Sequence, residues 1–315
     1  MPTISQVLTD TMASQIFLTD GGLETVMVFL EGLDLPQFAS FTLLDSDAGL
    51  AALMRYYNGF LDEAAVQRAG FVLDTATWRA SAGWGKVMGL DPSQIDAVNR
   101  KAVAIVKDLQ AARAKTGQLV LTNGVIGPHG DAYAPEQILS ARAAQNYHQR
   151  QVEVLAKAGV DMISAVTISS HGEAIGIAKA AATVGKPVAL SFTLETDGRL
   201  ISGMSLAEAV QRTDDATDGA PVWYGINCAH PDHFRHILTG DWVARIGSLR
   251  ANASRQSHAE LDEAAVLDDG NPAELARDYH DLLHIMPGLR VVGGCCGTDL
   301  RHVAAIGRSC LLHQH

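Results

Sequence analysis

Two kinds of apolar pattern take turns along this chain. Short aliphatic and β-branched runs lie at residues 16–20, 71–75, 118–126, 160–168, 187–194, 222–227 and 289–292, with a weaker one at 243–251. Between them, apolar positions return every three or four residues, the spacing of a helix with one buried face. Leu53, Tyr57, Phe60, Leu61 and Ala64 set this period over 50–69, which Gly70 closes. Ile95, Val98, Val103, Ile105 and Leu109 set it over 91–115, behind an Asp-Pro start. Further helices are predicted over 135–158, 172–184 and 299–311, and from Ser205, Pro231 and Asn271, with Ser205 and Glu208 placed for a capping box.

Eight strand–helix pairs over about 300 residues predict a single (β/α)8 barrel spanning residues 1–315. No proline-rich, serine-rich or low-complexity linker divides it. A doubly wound open sheet is the alternative, but it would carry GxGxxG directly after the first strand, and DGGLET is not that motif. Barrel chemistry sits at the C-terminal ends of the strands. Asp20, Thr75, Asn123, Cys228, Cys295 and Cys296 all fall at or near such ends.

The cysteines change the picture most. Cys295 and Cys296 are adjacent within GGCCGT, at a predicted strand-to-helix turn, and Cys228 in GINCAHP ends another strand. A disulfide between sequence neighbours is geometrically poor, which leaves metal ligation or redox chemistry. The glycines suit a turn that must place two neighbouring sulfurs on one ion, where a Cβ would forbid the backbone angles. Cys310, in an apolar helix near the C-terminus, is expected in the core or at the surface and not as a ligand. Three thiolates around zinc would leave a complex of charge about −1, a weak Lewis acid and a poor activator of water. Such an ion still holds a fourth sulfur as thiolate, well below its ordinary pKa of about 8.5. The expected reaction is in-line attack by that sulfur on an electrophilic carbon.

Charge and composition narrow the class. A net charge of −11 argues against nucleic acid or an anionic membrane as partner. No apolar run is long enough to span a bilayer, and the first fifteen residues lack a basic-then-apolar pattern. Four cysteines without framework spacing, and thiolates that survive best when reduced, predict a cytoplasmic protein. A homo-oligomer is left open. The twelve histidines show no metal spacing; His230, His233 and His236 read as one solvated helix face, while His129 is a candidate substrate contact.

The motifs LTDGGLET, VIGPHGDAY, GINCAHP and VVGGCCGTDLRHV together resemble the zinc-dependent homocysteine S-methyltransferases, which include the betaine and S-methylmethionine enzymes. The resemblance runs from about residue 16 to residue 306. It implies a (β/α)8 barrel, zinc on Cys228, Cys295 and Cys296, and Asp20 as the acid that positions the amino-acid substrate. It implies methyl transfer from a sulfonium or quaternary ammonium donor to homocysteine, giving methionine. Thr25, Thr75, Trp78 and Asn227 are the further candidate substrate contacts. Two departures stand out. Members of the family commonly carry Glu-Thr at the end of strand four, where this chain has Val166 before Thr167. A valine cannot bind an ammonium ion, so Asp20, Glu173 or another acid takes over, or the acceptor is a different thiol. Near strand two, a TNTY-like run is replaced by Thr75, Ala76, Thr77 and Trp78. An indole face attracts an alkylated cation by roughly 0.5–2 kcal/mol, so Trp78 is expected to help hold the methyl donor. The competing readings are a zinc hydrolase or lyase on the same barrel, and a metal store or thiol-redox sensor using Cys295 and Cys296.

Overall fold

The short apolar runs become strands whose side chains are buried on both faces, which is why they read as near-continuous hydrophobic stretches. In the computed structural model, which describes residues 8, 10–12, 15–133, 135, 137–264 and 266–311, the strands are β1 (Phe17–Leu18), β2 (Gly70–Asp74), β3 (Val120–Ile126), β4 (Met162–Ile168), β5 (Val188–Phe192), β6 (Trp223–Asn227), β7 (Ile246–Ala251) and β8 (Val291–Gly294). Every neighbouring pair is parallel, and β8 returns to β1, so the sheet is a closed eight-stranded barrel as predicted. Phe17, Val72, Met162, Ala189 and Val291, joined by Leu8 and Met12, fill its lower end. Higher up, Gly225 faces Ser191 and Ser248 so closely that a Cβ there would clash with both hydroxyls.

The helices surround the barrel: α1 (Asp47–Val66), α2 (Pro92–Ala114), α3 (Ala141–Ala158), α4 (His171–Thr183), α5 (Leu206–Thr217), α6 (Pro231–Phe234), α7 (Pro272–Ile285) and α8 (Leu300–Leu311). Their starts are set by polar caps that satisfy otherwise unpaired amides. Asp91 accepts from Ser93 and Gln94 in a full capping box, and Ser46, Ser140, Ser170 and Ser205 each accept from the amide three residues on.

Several predicted boundaries are corrected. The helix expected from residue 135 begins only at Ala141, behind the Ser140 cap, with residues 137–140 outside it. The weak seventh strand is shortened because Asp241–Arg245 turns as a 3-10 helix. His230 and His233 are not on a solvated face but buried at 3% and 8% exposure. His230 caps α6 by accepting from the Asp232 amide, and His233 Nε2 lies 2.8 Å from the Arg255 carbonyl. Cys310 is fully buried in α8, which puts it in the core and not at the surface. Among the described residues no helix is long and apolar enough to cross a membrane.

Candidate metal and substrate site

The barrel brings the three strand-end cysteines together. The sulfurs of Cys228, Cys295 and Cys296 all lie within 4.8 Å of one another. Strand β7, between β6 and β8, fixes two of them: its Arg250 carbonyl accepts from the Cys228 amide at 3.1 Å and its Ala251 carbonyl from the Cys295 amide at 2.9 Å. Thr25 ties down the following turn, accepting from the Gly297 amide at 3.2 Å while donating to the Gly22 carbonyl at 2.9 Å. Its hydroxyl therefore holds the cysteine loop, although the residue does line the cavity.

Cys228 and Cys295, with Cα atoms 5.4 Å apart, bring their sulfurs within disulfide-bonding reach, and Cys296 is free. A spacing that lets two sulfurs converge on one ion also lets them bond. The pairing joins strand ends 67 residues apart rather than the vicinal pair. The role predicted for the glycines is only partly met. Gly297 takes a positive φ of 78°, whereas Gly293 and Gly294 are needed for close approach to Thr19 and Thr298. The strained backbone falls instead on Cys228 (φ 54°) and Thr167 (φ 63°). A β-branched residue in the left-handed region costs of order 1–3 kcal/mol and needs surroundings that hold it there. Asn227 supplies them: its Oδ1 accepts from the Thr167 amide at 2.8 Å and its Nδ2 donates to Thr167 Oγ1 at 2.9 Å.

The same network reaches the sulfurs. Thr167 Oγ1 lies 3.9 Å from Cys228 Sγ, and Asn227 Nδ2 lies 3.9 Å from Cys295 Sγ. Donors aimed at sulfur stabilise thiolate and orient a metal ligand. Three thiol donors that converge, backed by such groups, fit zinc. Burial pushes the Cys296 thiol up to about 12, with the charge of Glu24 adding to the rise.

Beside the cysteines lies a charged floor that the sequence did not announce. The Arg250 guanidinium on β7 pairs with Asp20 after β1 and with Asp74 at the end of β2, and its Nε donates to the Gly294 carbonyl at 3.1 Å. Asn123 Nδ2 donates to the other Asp74 oxygen at 2.7 Å. Burial pushes Asp20 up to about 7; Arg250 pulls it down, and nearby Asp74 opposes that pull. The guanidinium is itself held above its ordinary range by the two carboxylates, in spite of burial. The Arg250 shift records the pull of the two acids, whereas the Asp20 shift records burial that outweighs the pull of Arg250.

A cavity of about 450 Å3 opens above this floor, lined by the three cysteines and by Asp20, Thr25, Thr75, Trp78 and Asn227, but not by His129. Thr75 does so with its hydroxyl engaged, 2.6 Å from Thr77 Oγ1 and accepting from the Val125 amide at 3.0 Å. Trp78 stands in the wall with the Arg79 guanidinium 4.7 Å from its ring centroid, and Arg79 also stacks over Trp84 at 4.0 Å. Val166 faces the cavity, half-buried. Glu173 does not replace it: this carboxylate is buried away from the cavity, accepting from the His129 amide at 2.6 Å and lying 2.8 Å from His148 Nε2. The His129 ring packs edge-on against Tyr147 rather than reaching substrate. Glu24, inside the DGGLET motif but not singled out, lines the cavity on the side of Cys296.

A family model described as homocysteine S-methyltransferase matches residues 17–310. The homocysteine S-methyltransferase of Escherichia coli K12 is 25% identical over 245 residues, covering 74% of this chain and 77% of that protein. Homocysteine S-methyltransferase 3 of Zea mays is 25% identical over 201 residues, 60% of this chain and 55% of the maize protein. Among solved structures, the E. coli homocysteine methyltransferase MmuM superposes in its oxidised form with a TM-score of 0.74 at 23% identity, covering 93% of this chain and 95% of that one. Its metallated form gives 0.71 at 23% identity, over 97% and 99%. The structural likeness bears on the fold alone.

Proposed function

Because the chain belongs to the homocysteine S-methyltransferase family, we propose that this methyltransferase moves a methyl group from a sulfonium or quaternary ammonium donor to a small thiol, homocysteine before others. The observation that carries this reading is the convergence of Cys228, Cys295 and Cys296 within 4.8 Å at the floor of the cavity. Zinc held by these residues would supply a position where a fourth sulfur stays deprotonated and nucleophilic.

The chain's own groups do the rest. Asn227 and Thr167 fix two sulfurs from behind. Asp20, Arg250 and Asp74 form a rigid floor on which the acceptor rests, and Trp78 offers an aromatic wall to the donor's cation. The apolar wall residues Phe29, Phe38 and Val266 reduce water around the reacting atoms, which strengthens every charge interaction there. On this reading residues 1–315 act as one catalytic domain in a reducing, cytoplasmic setting. A zinc hydrolase is disfavoured because a thiolate-rich site activates water poorly.

Product mass spectrometry on zinc-loaded protein tests it. Homocysteine is supplied with S-methylmethionine, betaine or dimethylsulfoniopropionate in parallel, and methionine is expected from at least one. Metal analysis should find one zinc per chain, lost in Cys296→Ala. A reduced wild-type protein that takes up no zinc overturns the metal site; zinc without methionine moves the acceptor to another thiol.

A further inference from the structure

The charged groups that line the cavity are nearly all matched. Asp20 and Asp74 share Arg250, Asp268 accepts from Ser254 Oγ at 2.5 Å, and Arg79 lies between two indoles and donates to the Gln37 carbonyl. Glu24 is different. Among the described residues no cation lies within ion-pair distance of it; its carboxyl accepts from the Ser40 hydroxyl and its own backbone, and feels the charges of Arg79 and Arg250 only from farther off. Burial holds it up from its ordinary range, and the pull of Ser40 and of the more distant Arg79 and Arg250 does not cancel that rise. Its place is also fixed relative to the sulfurs. The short helix Leu23–Thr25 that carries it is tied to the cysteine loop by the Thr25–Gly297 hydrogen bond, and the Gly22 amide donates to the Thr298 carbonyl at 3.0 Å. A Cβ on Gly22 would stand 2.6 Å from the Cys295 carbonyl, so the two backbones touch.

Two facts then combine. The acid expected at the end of β4 is absent, since Val166 occupies that place, and Asp20 is engaged by Arg250. An unpaired carboxylate stands at the same cavity, on the side of the free thiol. We propose that Glu24 is the residue that binds the ammonium group of the thiol acceptor, so that the site selects aminothiols of the amino-acid type. The proposal rests on the reading that a thiol acceptor docks at the cysteine cluster. It assigns to the DGGLET turn the selectivity that Val166 cannot supply.

Calorimetric binding without methyl donor separates the two claims. Homocysteine is compared with 4-mercaptobutyrate, which keeps the thiol and the carboxylate and lacks the amino group, on reduced protein with and without zinc. Wild type should bind homocysteine at least about tenfold more tightly, the loss expected when a charged partner is removed. Glu24→Gln should erase that gap by weakening homocysteine, leaving 4-mercaptobutyrate within about twofold, and Glu24→Asp should retain part of it. Zinc content and circular dichroism report whether each variant remains intact. No preference for homocysteine in wild type, including binding of neither thiol, overturns the proposal, as does equal weakening of both thiols or of neither in Glu24→Gln. A Glu24-dependent preference in a protein that transfers no methyl group upholds the proposal and removes only the methyltransferase reading.

Discussion

Arg250 decides the charge state of the cavity floor, because it is the cation between two carboxylates whose side chains are only 6% and 9% exposed. Removing one member of a buried ionic group leaves the others dehydrated and unpaired, which costs about 3–5 kcal/mol. Arg250→Leu should therefore lower stability by that amount in urea unfolding. Adding Asp20→Asn and Asp74→Asn should recover much of it, since the three residues share one network. An effect under about 1 kcal/mol for Arg250→Leu would show that water reaches the floor and screens the acids. Nothing in the local sequence marks Arg250: its partners lie 176 and 230 positions earlier, and a polar residue in a strand gives no sign of what it faces. Thr167 was equally hidden. Its left-handed backbone is unfavourable for its residue type and exists only through Asn227, 60 positions on.

At the level of elements, several strand ends were legible because their apolar runs give way to polar or thiol residues that line the cavity, as at Asp20, Thr75, Cys228 and Cys295. The cysteine positions followed from that alone. The start of helix α6 at Pro231 was legible but its burial was not, since His230 and His233 at helical spacing look alike whether the face they share is wet or packed. The start of α8 offers a pH test. Burial alone would raise Asp299, but hydrogen bonds from His302 and Arg301 outweigh it and hold the carboxyl well below the usual range. The folded pKa is depressed, so the stabilisation is fully present above the unfolded value of 3.8 and is lost progressively as pH falls from there toward the lower folded pKa. Asp299→Asn should be less stable than wild type by about 1–2 kcal/mol at pH 7, with the difference shrinking toward pH 3. A difference that stays constant over this range would show that the side chain acts as a neutral hydrogen-bond acceptor and that its charge is immaterial.

For the whole molecule, barrel closure was legible from the count of strand–helix pairs, because a parallel sheet buried on both faces leaves its pattern in every run. What the pattern cannot convey is how the strand ends are drawn together over the cavity. The three cysteines follow β6 and β8, so an ion bound to them would cross-link parts of the chain separated by 67 residues. Anything that binds only the folded state stabilises it by mass action, by about 2.7 kcal/mol at a hundredfold excess over its Kd. A change of 1 kcal/mol moves the melting midpoint of a chain this long by about 2 °C. Chelation of the reduced, zinc-loaded protein should then lower its Tm by roughly 3–6 °C. Cys296→Ala should melt at the same temperature with and without chelator, while Cys310→Ser, altered far from the cavity in α8, should keep the full response whatever its own stability. A wild type that holds one zinc yet melts unchanged after chelation would mean that the cysteine loop is already rigid. In that case the backbone bonds from β7 and the Thr25 anchor, and not the ion, organise the three sulfurs.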